Sequence, residues 1–151
     1  MNLKKILNTN LVELELKGNS KQEIIENLLD ILVKAGKVKD RSLALEAILE
    51  REAKMSTGIQ QGVAIPHGKT DSVNELLACI GIRKDGVDFK ALDGIPSKIF
   101  IMTLSPSTRS GPHVQFLADI SRVLTSEGMR EKLINSGTKE ELISLVVKGH
   151  A

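Results

Sequence analysis

The sequence predicts an α/β fold: a single domain over residues 1–151, with a mixed β-sheet sandwiched between helices. Three observations predict it. Short apolar runs of strand length alternate along the chain with longer segments whose apolar residues recur at helical spacing. One run, 98–104 (KIFIMTL), is apolar nearly throughout, as a central strand covered on both faces requires. The breaks between segments are short and rich in Gly, Pro, Ser and Asp, with no repeat, linker or low-complexity stretch.

Taken in order, residues 11–16 (LVELEL) alternate apolar and acidic, the pattern of a half-buried strand. Gly18 and Asn19 break it. Ser20 stands three residues before Glu23, a capping box for a helix over about 21–34, whose inner face is Ile24, Ile25, Leu28, Leu29 and Leu32 and which Gly36 ends. Asp40 or Ser42 caps a second helix running to about Lys54, with Leu45, Ile48 and Leu49 facing inward. The stretch MSTGIQQGVAIPHGKTDS reads as a turn, a short strand at Val63–Ile65 and a tight turn at Pro66-His67-Gly68. A buried strand is expected over 76–82, and a hairpin turn at Asp85-Gly86. After the central strand, Ser110 or Gly111 caps a third long helix with Pro112 in its first position. A short helix near 127–135 and a last one from Thr138 complete the chain. The sum is three or four strands and about five helices.

Composition excludes several functions. Basic and acidic residues number 21 and 19 and are mixed along the chain, so no block of charge points to nucleic acid. Three Phe and no Trp or Tyr leave no stacking platform for single strands. The single cysteine, Cys79, lies in an apolar run and is expected to be a buried small hydrophobe, with no internal disulfide possible. No segment approaches the roughly 20 apolar residues that span a bilayer, and the start of the chain is too broken for a secretory signal; no membrane insertion is expected and the cytoplasm is the expected location. There is no GxxxxGK[ST] loop, no GxGxxG and no HExxH, so no bound nucleotide, metal or other cofactor is expected.

The chemistry therefore rests on histidines and one arginine. Of three histidines, His150 is next to last and expected to fray. His67 stands between a stiffening Pro66 and an uncrowded Gly68, which suits a nucleophile approached in line. An imidazole with an unperturbed pKa of ~6.5 can take up and release a phosphoryl group near neutrality; the same residue could equally be a histidine hydrogen-bonding across a turn. His113 opens a helix just past the central strand, where free N–H groups favour an anion, or it is a helix-start histidine with no partner. Arg51 leaves the inner edge of the second helix, three and four residues after Ile48 and Ala47, and either clamps an anion or lays its stem over apolar surface with its head in water. With no nucleotide signature, the phosphoryl donor would be another phosphoprotein.

Arg51-Glu52 followed by STGIQQGVAIPHGK (56–69) resembles the phosphorylation-site signature of the enzyme IIA domains of the bacterial sugar phosphotransferase system, fructose/mannitol type, a signature that the nitrogen-regulatory enzyme IIA branch shares. VDFKALDGIPSKIFIMTLSP (87–106) is similar to the family's turn and central strand, and His113 matches the histidine of its next helix start. The loop SPSTRSGP and Val114 depart from the family's commonest form, in which Leu follows that histidine. The resemblance covers about residues 8–147. It implies a phosphotransferase component in which His67 is the phosphoacceptor, His113 the second active-site histidine and Arg51 the arginine that holds the phosphoryl group. The implied donor is a phosphorylated HPr-like protein. The implied acceptor is a cysteine of an enzyme IIB domain in sugar transport, or the phosphorylated form instead switches regulatory target proteins. Standing alone without a fused IIB or IIC segment, the chain leans toward the nitrogen-regulatory role; the sugar-specific carrier and a degenerate binding module are the alternatives.

Overall fold

The computed structural model describes residues 2–150. Its helices are α1 (Leu3–Ile6), α2 (Lys21–Lys34), α3 (Arg41–Lys54), α4 (Ser110–Val123), α5 (Glu127–Ile134) and α6 (Lys139–His150). Its strands are β1 (Val12–Glu13), β2 (Gly58–Gln60), β3 (Val63–Ala64), β4 (His67–Lys69), β5 (Leu77–Val87) and β6 (Ser97–Ser105). The strands form one mixed sheet in the order β1-β5-β6-β3-β2, with β4 also paired to β6. Leu28, Ile48, Phe100, Met102 and Leu104 belong to one core, under α2 and α3; Ile99, Ile101, Phe116, Ile120 and Val146 belong to the other, under α1, α4, α5 and α6. The predicted α/β sandwich is thus the observed one, with additional short strands and with the two long ones, β5 and β6, extending past their expected ends. Cys79 is fully buried, as expected.

Local signals place the helices well. Ser20 Oγ accepts from the Glu23 N–H, Asp40 from Leu43, Ser126 from Met129 and Thr138 Oγ1 from Glu141, each supplying a partner to an otherwise orphaned first-turn donor. The start of α4 differs from expectation. Its N-cap is Arg109, with no side-chain cap bond, and Pro112 occupies the third helical position. The first turn's N–H groups have no intrahelical partner, so the missing donor costs nothing there, and Gly111 before the proline has no Cβ to meet its ring.

Three further expectations are corrected. The strand at 11–16 pairs with β5 only at Val12–Glu13, because the Glu13 carboxylate accepts the Glu15 N–H and turns the chain out of the sheet before Leu16 returns to the Ile82 carbonyl. Asp85-Gly86 is no hairpin tip: it lies inside β5, where the register with β6 shifts between Ile82 and Val87 and Gly86 takes φ +77°. His150 is not frayed; its Nε2 lies 3.2 Å from Oδ2 of the buried Asp119 on α4, tying the end of α6 to the fold.

The stretch around His67 is likewise not a turn. β3 and β4 are two pieces of one parallel partner of β6: Val63 and Ala64 pair with Ile99 and Phe100, and His67, Gly68 and Lys69 pair with Thr103, Leu104 and Ser105. The offset is the same on both sides of Pro66, which has no N–H to give and whose carbonyl accepts from Thr103 at 3.1 Å. Side chains alternate across the sheet, so His67 faces the α4 side with Thr103, and Gly68 faces α3 with Leu104. There Gly68 has a reason of its own. A Cβ would stand 3.2 Å from the backbone of Ala47 and Ile48, so glycine sets how closely β4 packs on α3.

Gly68→Ala is expected to destabilise the protein by about 1–3 kcal/mol through this overpacking. Gly128→Ala, in the first turn of α5 with only Ser126 Oγ within reach at 3.6 Å, is expected to cost nothing and to gain up to about 1 kcal/mol. Equal effects in urea melts would contradict the close approach.

Candidate functional site

The Ile65-Pro66 break frees the groups that hold His67. The Ile65 N–H bonds to the Thr57 carbonyl at 2.9 Å, and the Ile65 carbonyl lies 2.8 Å from His67 Nδ1. A carbonyl can only accept, so Nδ1 carries the proton and the Nε2 lone pair is left for chemistry. His67 is half-buried at the open side of the sheet. Loss of hydration is the main force lowering its pKa below the ordinary value; the nearby Arg51 charge adds to it, while the Ile65 hydrogen bond and Glu52 oppose. The ring is therefore neutral and nucleophilic at pH 7.

His113, in the first turn of α4, is 4% exposed and packs beside it: the ring centroids are 5.3 Å apart with an interplanar angle of 54°. Its Nδ1 lies 3.0 Å from Oγ of Ser105, the last residue of β6. Burial first, then the charges of His67 and Lys69, push its pKa down to about 4. Arg51 projects from the last turn of α3, and its Nη1 donates to the Met55 carbonyl at 2.8 Å. It reaches His67 through its charge, not through a hydrogen bond to the ring. The structure thus brings all three sequence-derived residues into one neighbourhood, from three different elements.

Sequence reasoning passed over the groups that support them. Glu52 is buried, and its carboxylate accepts from Lys21 Nζ at 2.8 Å, from the Thr57 N–H at 2.8 Å and from the Thr57 hydroxyl. Ser56 Oγ bridges to the Phe89 carbonyl at 3.1 Å. This network holds the segment leading into β2 and, through Thr57, the link at Ile65 between β3 and β4. Its signal was present: Ala44, Ile48 and Glu52 recur every four residues, so the carboxylate lies on the buried stripe of α3. Lys69 and Ser105 left no such signal, because their nearness to His113 comes from the pairing of β4 with β6. Around the site, Met55 (58%), Ile59 (42%) and Val114 (62%) are exposed apolar residues, whereas Val63 and Ile65 are buried. Among the described residues no cluster of three or more His, Cys, Asp or Glu side chains is placed to hold a metal ion, and no helix is long and apolar enough to cross a membrane.

Comparison with known proteins gives a family match across residues 5–149, to the model described as phosphoenolpyruvate-dependent sugar phosphotransferase system, EIIA 2. A PTS fructose-specific EIIA component of Haloferax volcanii is 42% identical over 130 residues, covering 86% of this chain and 84% of that protein. A nitrogen regulatory protein of Pseudomonas aeruginosa is 28% identical over 130 residues, again covering 86% and 84%. The crystal structure of nitrogen regulatory protein IIA-Ntr from Neisseria meningitidis superposes with a TM-score of 0.89 at 26% identity, covering 95% of this chain and 98% of that one.

The two lowered histidine pKa values carry a stability prediction. As pH falls below the unfolded value of about 6.5, the unfolded chain takes up protons first. The contribution of His113 is therefore complete above 6.5 and is lost as pH falls through about 4. His113→Gln is expected to flatten the loss of stability between pH 6.5 and 4 in denaturant melts, and imidazole NMR is expected to show His113 uncharged through most of that window. A His113 titration near 6.5 would contradict the geometry.

Proposed function

The chain belongs to the EIIA 2 family of the phosphoenolpyruvate-dependent sugar phosphotransferase system, and from that premise we propose that it is a phosphocarrier that takes a phosphoryl group from a phosphorylated HPr-like protein onto His67. The observation that carries this reading is the bond from His67 Nδ1 to the Ile65 carbonyl, which leaves a neutral imidazole with Nε2 bare beside His113. His67 Nε2 attacks the phosphorus of the donor phosphohistidine in line. The new N–P bond forms as the donor's N–P bond breaks, and the donor ring keeps that electron pair. Nδ1 keeps its proton on Ile65 throughout, so no base is needed. Charge spread over the equatorial oxygens is met by Arg51, freed from Met55, and by His113. No metal or other cofactor enters the scheme. The exposed Met55, Ile59 and Val114 form an apolar rim on which a donor or acceptor docks briefly.

From His67 the group passes to a cysteine of an enzyme IIB domain, in the cytoplasm. EIIA domains of this system pair with EIIB domains, and the 42% identity to a fructose-specific component against 28% to a nitrogen regulatory protein favours this transport role over the regulatory one. The regulatory role, in which the phosphorylated form switches target proteins, is supported by the likeness to IIA-Ntr. Mixing the phosphorylated protein with fructose and mannitol IIB domains separates them: rapid loss of label to a IIB cysteine is expected, and retention of label against every IIB would favour the regulator.

His67→Ala is expected to abolish labelling by phosphorylated HPr; full labelling of that variant would overturn the assignment. Arg51→Ala and His113→Ala are expected to accept the group at the same final stoichiometry but about 100-fold or more slowly, the cost of one missing charge-stabilising donor. The labelling rate is expected to be flat above neutrality and to fall with acid below pH 6.5, as Nε2 takes a proton.

A further inference from the structure

The two site histidines have the same nitrogen, Nδ1, engaged by groups of opposite character. His67 Nδ1 meets a carbonyl, which can only accept. His113 Nδ1 meets the Ser105 hydroxyl at 3.0 Å, which can donate or accept. The direction of that second bond follows from where the hydroxyl proton can go. Ser105 is fully buried at the end of β6, and His113 Nδ1 is the single acceptor for its Oγ–H among the described residues. Thr103, two residues earlier on the same face, turns its hydroxyl to the Leu77 carbonyl, to which it donates at 3.0 Å, and makes no hydrogen bond with Ser105. If Nδ1–H donated to Ser105, the serine proton would be buried with no acceptor, and the two neighbouring rings, with centroids 5.3 Å apart, would both carry a bare Nε2. A buried unpaired donor is costly, more so than an acceptor with a spare lone pair.

We propose that Ser105 is a positioning residue: its hydroxyl donates to His113 Nδ1 and holds the ring with its proton on Nε2, where it hydrogen-bonds a phosphoryl oxygen carried by His67. The pair is then complementary, a lone pair on one Nε2 and a proton on the other, both set by second partners on the sheet. This matters because a buried His113 does not charge near neutrality; it donates only if the neutral ring has its proton on the correct nitrogen. The phosphocarrier reading is the premise for the role in transfer, but the tautomer itself does not depend on it.

The test has two arms. In 15N-labelled wild-type protein at pH 7, long-range imidazole NMR is expected to show His113 Nδ1 unprotonated and Nε2 protonated, and His67 the reverse. A protonated His113 Nδ1 overturns the proposal whatever the transfer experiments show. In the second arm, Ser105→Ala is expected to mix the His113 tautomers and to slow phosphoryl uptake from phosphorylated HPr about tenfold, the worth of one hydrogen bond to the transferring group. Ser105→Thr is expected to restore both. A folded Ser105→Ala protein with unchanged tautomer and rate overturns the role; if that variant does not fold, the wild-type spectrum decides. Failure of wild-type protein to accept phosphate at all would defeat the carrier reading while leaving the tautomer measurement intact.

Discussion

The parallel pairing of His67–Lys69 on Thr103–Ser105 is the constraint on which the site depends. Strand side chains alternate faces, so a slip of one residue would turn His67 toward α3 and press another side chain into the space that Gly68 leaves there. Holding the same register on both sides of Pro66 prevents that slip. It also places Ser105 level with Lys69, at the point where the first turn of α4 delivers His113. The buried strand β6 thus serves as the ruler that places His67.

Proline at the break does more than interrupt a strand. It contributes no N–H that would need a partner, and around it the Ile65 N–H turns to Thr57 while the Ile65 carbonyl turns to His67. One local irregularity therefore selects the histidine tautomer. The irregularity is itself supported from beneath: Glu52 grips Thr57 by its N–H and its hydroxyl, and Lys21 from the start of α2 balances the buried carboxylate. A buried charge of this kind is tolerated because all its partners are in place, and removing one of them leaves the rest uncompensated.

Electrostatically the site favours neutral rings beside a cation. Dehydration of His67 and His113 and the charges of Arg51 and Lys69 all act against protonating the imidazoles. The neutral His67 ring therefore keeps its Nε2 lone pair beside a cationic group. Arg51 rests on the Met55 carbonyl at the end of its own helix, a single solvent-accessible contact in a half-exposed position.

The sequence by itself determined much of this. Capping residues and apolar spacing placed both ends of α2, the end of α3 and the start of α6 to within a residue. The run 98–104 announced the central strand, and the Pro-His-Gly segment with Arg51 and His113 marked the candidate site. These are local properties, decided by side chains acting on their own stretch of backbone. The sequence could not show that Asp85-Gly86 bulges within a strand, that residues 11–16 leave the sheet after two pairs, or that His150 is tied to Asp119. Each depends on a partner distant in the chain. The placement of Ser105, Lys69 and Glu52 belongs to the same class: a hydroxyl, an amine and a carboxylate come to lie beside His113 and Thr57 only when strand register and helix packing bring them there. Tertiary structure decided those, because hydrogen-bond partners and hydration are properties of the folded neighbourhood and not of the residue.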